Sequence, residues 1–283
     1  MRAVALHRDV LLVTSAILQV NCVIVRGSAG EPHAEAEPGA GGEELTEGGE
    51  TFVLDSPVLP DELDALPALV EQARFSPPSG LLVTHADWDH LLGRLAFPGV
   101  ALGCAESTAE RLQSSPGEAQ RHLRAFDEGL LIDRLRPLAL GSVQALPVPG
   151  HCAVGDRELE LYAASGHTPD GMAILIPWAG VLVAGDYLST AELPTLEDGG
   201  DLDAYLATLE RLRPLVSGAE HVVPGHGPPL DGERALTVLE QDVAYLQALR
   251  DRGAEAELPD GRRGAHQRSL HAQNLAALVS RSC

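Results

Sequence analysis

A dense cluster of side chains able to bind a metal ion follows a short apolar segment in the first third of the chain. The segment is Gly80–Thr84, and the cluster reads His85-Ala86-Asp87-Trp88-Asp89-His90. These side chains cannot all face one way on a helix, because neighbouring residues diverge around its axis. In a turn that leaves a strand buried on both faces, they can surround a single point. Imidazole with carboxylate suits a borderline or hard divalent metal, although a solvated turn that caps the next helix would use the same residue types.

Three later loops carry an isolated histidine or aspartate beside an apolar segment. They are Ser165–Gly171, which holds His167 ahead of the apolar Met172–Ile176; Gly185-Asp186, which ends the apolar Val181–Ala184; and Pro224-Gly225-His226-Gly227, which follows His221–Val223. Each loop alone is a weak signal, because Gly, Pro, Asp and His are ordinary loop residues. Taken together, in this order and beside these apolar segments, the three loops and the His85–His90 cluster indicate a shared metal site at strand ends.

With these motifs in sequence, the chain resembles the metallo-β-lactamase fold superfamily over about Leu12 to Leu230. The family pattern is H-x-H-x-D-H, then G-H-T-P, G-D and G-H-G. The resemblance implies an α/β (α+β) fold, a four-layer αβ/βα sandwich with a dinuclear metal site at the strand ends. It implies these ligands: His85, Asp87 and His167 for one metal, Asp89, His90 and His226 for the other, and Asp186 as the bridge between them.

Asp87 departs from the family pattern, which usually has histidine at this position. The additional carboxylate lowers the net charge of a two-metal site by one unit and makes the site a weaker Lewis acid. Oxygen ligation also shifts the metal preference towards manganese or iron relative to zinc. We therefore expect two divalent metal ions, zinc by default, with manganese or iron as alternatives because of Asp87. A decayed first metal position would carry the same change, but the other six ligands are intact.

The resemblance implies a hydrolase acting on an ester, thioester, lactone or phosphodiester of a small molecule. In that reaction Asp89 would be the catalytic residue, holding the proton of a metal-bound hydroxide. Asp186 stands where broad-spectrum zinc β-lactamases have cysteine, which argues against that subgroup. An iron-dependent oxygenase of the persulfide dioxygenase kind shares the motifs and stays an alternative, as does a non-catalytic metal- or ligand-binding protein.

Composition narrows the class of partner. The chain has 41 acidic and 20 basic residues, for a net charge of −21, which argues against nucleic acid and anionic membranes. It contains no lysine, which excludes Schiff-base chemistry. The four cysteines are scattered, with no C-x-x-C pair, so a reduced, cytoplasmic protein is predicted. A small-molecule substrate is the expected partner, and the oligomeric state is left open.

We expect a single domain over residues 1–283. It would include a disordered acidic loop at Glu31–Glu50 and a C-terminal helical extension over residues 231–283. Val10–Val25 is predicted as two buried strands, although its apolar character is also typical of a signal-peptide core. The C-terminal basic cluster consists of Arg262, Arg263 and Arg268 with His266 and His271, and it is either a solvated helix end or an anion-binding wall. Further predicted elements are strands at Asn21–Arg26, Thr51–Asp55 and Glu158–Ala163, and helices at Pro60–Phe75, Ser107–Phe126 (broken near Pro116), Leu202–Leu212 and Arg234–Arg250.

Overall fold

The computed structural model describes residues 1–27, 49–196 and 199–281, and within them the chain forms two sheets. Seven strands make the first sheet, and each lies beside the next in chain order. They are β1 (Arg2–His7), β2 (Val10–Thr14), β3 (Asn21–Arg26), β4 (Thr51–Leu54), β5 (Gly80–Leu82), β6 (Ala101–Ala105) and β7 (Val143–Leu146). The strands from β1 to β4 pair antiparallel, and those from β4 to β7 pair parallel.

The second sheet has five strands in the order β12-β11-β10-β9-β8. They are β8 (Gly150–Val154), β9 (Arg157–Ala163), β10 (Met172–Ile176), β11 (Val181–Gly185) and β12 (His221–Pro224). Only the β11–β12 pair is parallel among the described strands of this sheet. A parallel connection needs a crossover, and the helix α5 (Leu202–Gly218) provides it here.

Helices cover the outer face of each sheet. Their bounds are α1 (Pro60–Gln72), α2 (Gly93–Ala96), α3 (Glu106–Ser114), α4 (Glu118–Leu130), α5, α6 (Gly232–Arg252) and α7 (Ala265–Arg281). Side chains of α1, α3 and α4 share a buried cluster with the first sheet, and those of α5, α6 and α7 share one with the second. The layers therefore follow the order helix, sheet, sheet, helix, which confirms the predicted αβ/βα sandwich.

Strand β3 shows how the sequence specifies the middle of this sandwich. Cys22 and Ile24 pack towards the helices, whereas Val23 and Val25 point into a third cluster between the two sheets. Successive side chains of a strand point to opposite faces, so a strand buried on both faces needs an unbroken apolar segment. The sheets lie against each other through such residues, including Leu161 and Ile174 of the second sheet.

The predicted elements agree with the structure where the periodicity is strong. Strand β3 has the predicted bounds, and the helix predicted with a break near Pro116 is two helices, α3 and α4. The sequence did not indicate β1, β6, β7 or β8, whereas α6 and α7 lie within the C-terminal extension that was predicted to be helical. Residues 31–48 of the predicted acidic loop lie outside the described residues, while Glu50 is described, and its side chain accepts hydrogen bonds from Ser79 and Gly155.

Candidate metal centre

The first four candidate ligands leave the carboxyl end of β5. Thr84 lies two residues beyond the strand, His85 comes next, and Trp88–His90 form a 3₁₀ turn that carries Asp89 and His90. Beside this end, the backbone N–H of Met172 at the start of β10 donates to the carbonyl of Thr84 at 2.7 Å. The two sheets therefore meet where the cluster begins.

The remaining three candidates come from the second sheet. His167 lies in the loop between β9 and β10, Asp186 directly follows β11, and His226 lies two residues after the end of β12. The last two loops pass very close to each other. A Cβ atom added at Gly225 would lie 1.8 Å from Oδ1 of Asp186, so only glycine fits beside this carboxylate.

The seven side chains converge as two three-residue groups. In group one (His85, Asp87, His167), Oδ2 of Asp87 is 3.4 Å from Nε2 of His85 and 3.3 Å from Nε2 of His167. In group two (Asp89, His90, His226), Oδ2 of Asp89 is 3.4 Å from Nε2 of His226 and 3.9 Å from Nε2 of His90. This is the division that the family resemblance implies.

Asp186 lies between the two groups. Its Oδ2 is 3.3 Å from Nε2 of His167 in group one and 3.3 Å from Nε2 of His226 in group two. Its Oδ1 is 3.2 Å from Nε2 of His90. One carboxylate thus reaches both groups, as a bridging ligand must. Metal binding by these seven residues stays a prediction, and the structure supplies the geometry for it.

All four imidazoles are fixed through Nδ1, which leaves Nε2 facing the cluster. Their partners are the hydroxyl of Thr84 for His85 (3.0 Å), Oδ2 of Asp55 for His90 (3.0 Å), the carbonyl of Thr195 for His167 (3.0 Å) and the carbonyl of Leu18 for His226 (2.9 Å). Carbonyl and carboxylate oxygens accept the Nδ1–H proton and so select the tautomer with a bare Nε2. This is the arrangement found around metal-binding histidines in general.

Asp55 is a functional residue that sequence reasoning missed. It directly follows strand β4, has a φ of 56°, and is buried. Its Oδ1 accepts from the backbone N–H of Thr84 at 2.8 Å, and its Oδ2 accepts from the Thr84 hydroxyl at 2.9 Å and faces His90. The available signal was an aspartate at the end of an apolar strand, the context that drew attention to Asp186.

Arg111 of α3 was also missed. Its Nη2 lies 2.7 Å from Oδ1 of Asp87, and its Nη1 lies 2.9 Å from Oδ1 of Asp170. Asp87 therefore directs one oxygen towards the arginine and the other towards group one. No local pattern links α3 to the ligand turn, so the sequence carried no signal for this pair.

Acidic and imidazole groups in the cluster shift one another's proton affinity. Burial works to raise the pKa of Asp87 and of Asp186, but the neighbouring imidazoles outweigh it and hold the pKa of both well below the ordinary value. Burial works to lower the pKa of His226, but the Asp186 carboxylate outweighs it and raises that pKa to about 10. A divalent cation must compete with protons here, so metal affinity should fall as the pH falls.

The donor atoms fit a metal ion. Nε2 of His85, Nε2 of His90 and Oδ1 of Asp186 are buried and form no hydrogen bond within the described part of the chain. Buried polar atoms normally have a partner. A cation satisfies imidazole nitrogens and carboxylate oxygens together, and nitrogen with oxygen donors suits zinc, manganese and iron.

An open cleft of ≈ 210 Å³ leads to the cluster. Its walls include Trp88, Glu118, His122, Glu192 and Leu270. Trp88 also packs on Phe126, with 4.6 Å between the ring centroids. The rim is therefore partly apolar and carries two glutamates.

The C-terminal basic cluster does not form an anion-binding wall at this cleft. Arg262 is 2% exposed, and its guanidinium lies 2.6 Å from Oδ1 of Asp242. Arg263 pairs with Asp260 at 2.8 Å, and none of the described residues lining the cleft belongs to the basic cluster. No described helix is both long and apolar enough to cross a membrane.

Fold and site together define an αβ/βα sandwich with a His/Asp cluster at the strand ends whose geometry suits metal ions. Residues 47–226 match the family model of the metallo-β-lactamase superfamily, and the chain belongs to that superfamily. It is 28% identical over 217 residues to a hydroxyacylglutathione hydrolase of Anaeromyxobacter dehalogenans, which covers 75% of this chain and 70% of the relative.

Two solved structures show the same fold at low sequence identity. The sec-alkylsulfatase Pisa1 from Pseudomonas sp. aligns with a TM-score of 0.72 and 15% identity, over 99% of this chain and 50% of its own. TTHA1623 in a di-iron-bound form aligns with a TM-score of 0.56 and 23% identity, over 80% of this chain and 97% of its own. At such identities the likeness concerns the fold alone.

Proposed function

We propose that this protein is a metal-dependent hydrolase that cleaves an ester, thioester, lactone or phosphodiester bond of a small molecule. The observation that carries the proposal is the convergence of seven donors into groups one and two, with Asp186 between them. All four imidazoles in that cluster are fixed through Nδ1, so their Nε2 atoms face one another across it. The relative named hydroxyacylglutathione hydrolase supports a thioester within this substrate class.

Divalent ions bound by such donors lower the pKa of a coordinated water and polarise a carbonyl or phosphoryl oxygen. The chain's own residues set the conditions for this chemistry. Asp89 lines the cleft and lies in group two, and we assign to its carboxylate the acceptance of a proton from the attacking water. Asp186 holds the two groups at a fixed separation, and the Nδ1 partners prevent the imidazoles from rotating away.

The cleft favours a compact substrate with little negative charge. Arg111 is its one arginine among the described lining residues, and two aspartates already engage that guanidinium. Glu118 and Glu192 add negative charge to the rim. A neutral ester, thioester or lactone would enter such a cleft more readily than a polyanion. The same charges, together with the net charge of −21, support a small-molecule partner over nucleic acid.

Metal content and hydrolysis test the proposal together. Protein purified without added metal is analysed for zinc, manganese and iron, then assayed on small esters, thioesters, lactones and phosphodiesters with and without a chelator. We expect close to two ions per chain and a hydrolytic rate that the chelator abolishes.

The matched variants are His226→Ala and His221→Ala. His226 belongs to group two, whereas His221 is a partly buried histidine of β12 outside both groups. Metal and activity should be lost in the first variant and kept in the second. Protein that neither contains metal nor binds zinc, manganese or iron on addition would refute the proposal.

A second candidate is an iron-dependent oxygenase. Its specific support is that each group consists of two histidines and one carboxylate, the ligand set that non-haem iron oxygenases use with open positions left for oxygen. This candidate predicts iron in the purified protein and oxygen uptake with a persulfide substrate. Zinc in the purified protein, with hydrolysis under anaerobic conditions, favours the hydrolase.

A further inference from the structure

The two carboxylate oxygens of Asp87 have different partners, imidazoles on one side and a guanidinium on the other. Its Oδ2 faces Nε2 of His85 and of His167 at 3.4 and 3.3 Å, while its Oδ1 lies 2.7 Å from Nη2 of Arg111. A carboxylate fixed in this way presents one oxygen to group one. It therefore occupies the place of a single imidazole nitrogen instead of chelating through both oxygens.

Arg111 is itself fixed by a second carboxylate. Nη1 of Arg111 lies 2.9 Å from Oδ1 of Asp170, a side chain that is 1% exposed. The other oxygen of Asp170 accepts from the backbone N–H of Ala86 at 2.9 Å, the residue immediately before Asp87. The guanidinium and Asp170 thus hold both the backbone and the side chain of this ligand turn. Such planar, two-sided recognition of carboxylates is specific to arginine.

Arg111 also changes the net charge around group one. An aspartate in place of histidine adds one negative charge to the cluster, and the guanidinium adjoining Asp87 adds one positive charge. Because Asp170 shares the same guanidinium, Arg111 offsets part of the negative charge that Asp87 adds to group one.

We propose that Arg111 is a positioning residue that enables an aspartate to serve at position 87: it binds Oδ1, leaves Oδ2 as the single donor to group one, and offsets part of the added charge. This inference rests on the proposed metal binding. It assigns to a residue of α3 a role in the metal affinity of group one, whatever substrate the protein cleaves.

A double-mutant cycle tests the inference. Arg111→Met is made in the unsubstituted protein and in the Asp87→His background, and zinc affinity is measured by competition with a chromophoric chelator. Loss of an outer partner of a metal ligand typically weakens binding about 10- to 100-fold. We expect a weakening of that size at one of two zinc positions for Arg111→Met alone. In the Asp87→His background the same substitution should change zinc affinity less than about twofold, because the carboxylate it positions is gone.

Two further measurements separate positioning from a merely structural role. The Co²⁺-substituted protein should show an altered visible absorption spectrum for Arg111→Met, because a released carboxylate can ligate through both oxygens and change the coordination geometry. Arg111→Lys should recover part of the zinc affinity through its charge, without the two-sided geometry. The matched control is Arg134→Met, since Arg134 is a partly buried arginine paired with Asp127 at 2.7 Å and is not among the described residues that line the cleft.

The outcomes are distinct. If Arg111→Met weakens zinc binding equally in both backgrounds, Arg111 acts through Asp170 and the fold, and the inference is wrong. Unchanged or tighter zinc binding in Arg111→Met overturns it as well. Should Arg111→Met fail to fold, Arg111→Lys in the two backgrounds provides the same comparison. An unsubstituted protein that binds no zinc refutes the proposed function instead, before Arg111 is considered.

Discussion

Glu62 is an acidic residue of α1 that is 2% exposed. Its carboxylate connects this helix to the loop between β2 and β3. Its Oε2 accepts from the hydroxyl of Ser15 at 2.6 Å and from the backbone N–H of Leu59 at 3.2 Å, and its Oε1 accepts from the backbone N–H of Ala16 at 2.7 Å. Ser15 and Ala16 belong to the loop between β2 and β3, which also contains Leu18, whose carbonyl fixes His226. We predict that Glu62→Gln destabilises the protein and loosens this loop.

The size of the effect follows from these contacts. Glutamine has nearly the same side-chain volume as glutamate. Its amide NH₂, however, faces a group that donates a hydrogen bond to the carboxylate in the unsubstituted protein. One buried N–H or O–H then lacks an acceptor, which costs about 1–3 kcal/mol, and the remaining bonds lose the strengthening by charge. We expect a loss of about 2–4 kcal/mol in the free energy of unfolding at pH 7. Glu71→Gln, an exposed change on the same helix, should cost less than about 0.5 kcal/mol.

The loss should depend on pH with a defined sign. Burial works to raise the pKa of Glu62, but the hydrogen bonds from Ser15, Ala16 and Leu59 outweigh it and hold the pKa below the ordinary value of 4.5. A carboxyl with a lowered pKa in the folded state stabilises the protein above its unfolded pKa and loses that contribution as pH falls through the folded value. Urea unfolding at pH 7, 5 and 3.5 should therefore show the difference between Glu62→Gln and the unsubstituted protein shrinking below about pH 4.5. A difference under 0.5 kcal/mol at pH 7, or one that is the same at all three pH values, would refute this reasoning.

Further predictions concern a candidate ligand, a buried asparagine and the acidic segment. Asp87→His should raise the zinc-to-manganese ratio in protein purified from one medium, because nitrogen replaces oxygen; an unchanged ratio by elemental analysis would show that Asp87 is not a ligand. Asn274→Ala should lower the free energy of unfolding by about 2–4 kcal/mol, because the fully buried amide donates to the carbonyl of Pro194 at 2.7 Å and accepts from Leu196 at 2.9 Å. If calorimetry shows that Asn274→Ala lowers the free energy of unfolding by less than 1 kcal/mol, these hydrogen bonds do not hold the loop around Thr195. Replacing residues 31–48 by a short Gly-Ser turn should leave the thermal midpoint and the metal content nearly unchanged, whereas Glu50→Ala should lower the midpoint.

The sequence predicted those parts of the fold whose signals are local. Strand β3 is an unbroken apolar segment and was found with its full bounds, and the break between α3 and α4 follows from Pro116. Strand β6 escaped notice because Ala101-Leu102-Gly103-Cys104-Ala105 has no β-branched residue. It is a strand because it lies between β5 and β7, and neighbouring strands are not visible in its own sequence.

The candidate site shows the same difference between local and non-local signals. The seven candidate ligands were found because each stands in a short motif at the end of an apolar segment. Asp55, Arg111 and the carbonyl of Leu18 were not found, because their partners are distant in sequence: His226 is 208 residues from Leu18. Side chains that bind a cation have characteristic types, whereas the groups that orient them include backbone carbonyls, which any residue can supply.

That long separation has a consequence for how the protein acquires its metal. Leu18 and Asn21 must meet the loop of His226 before the second group is complete, and Asn21 donates to the carbonyls of Pro224 and Gly227 at 2.8 and 2.7 Å. At a synthesis rate of roughly 5–20 residues per second, His226 leaves the ribosome on the order of ten seconds after His90. During that interval the growing chain presents Asp89 and His90 without their third partner. We therefore expect group two to bind an ion tightly only after synthesis has passed His226, so that the folded chain, and the metal ions available to it then, determine which ion it keeps.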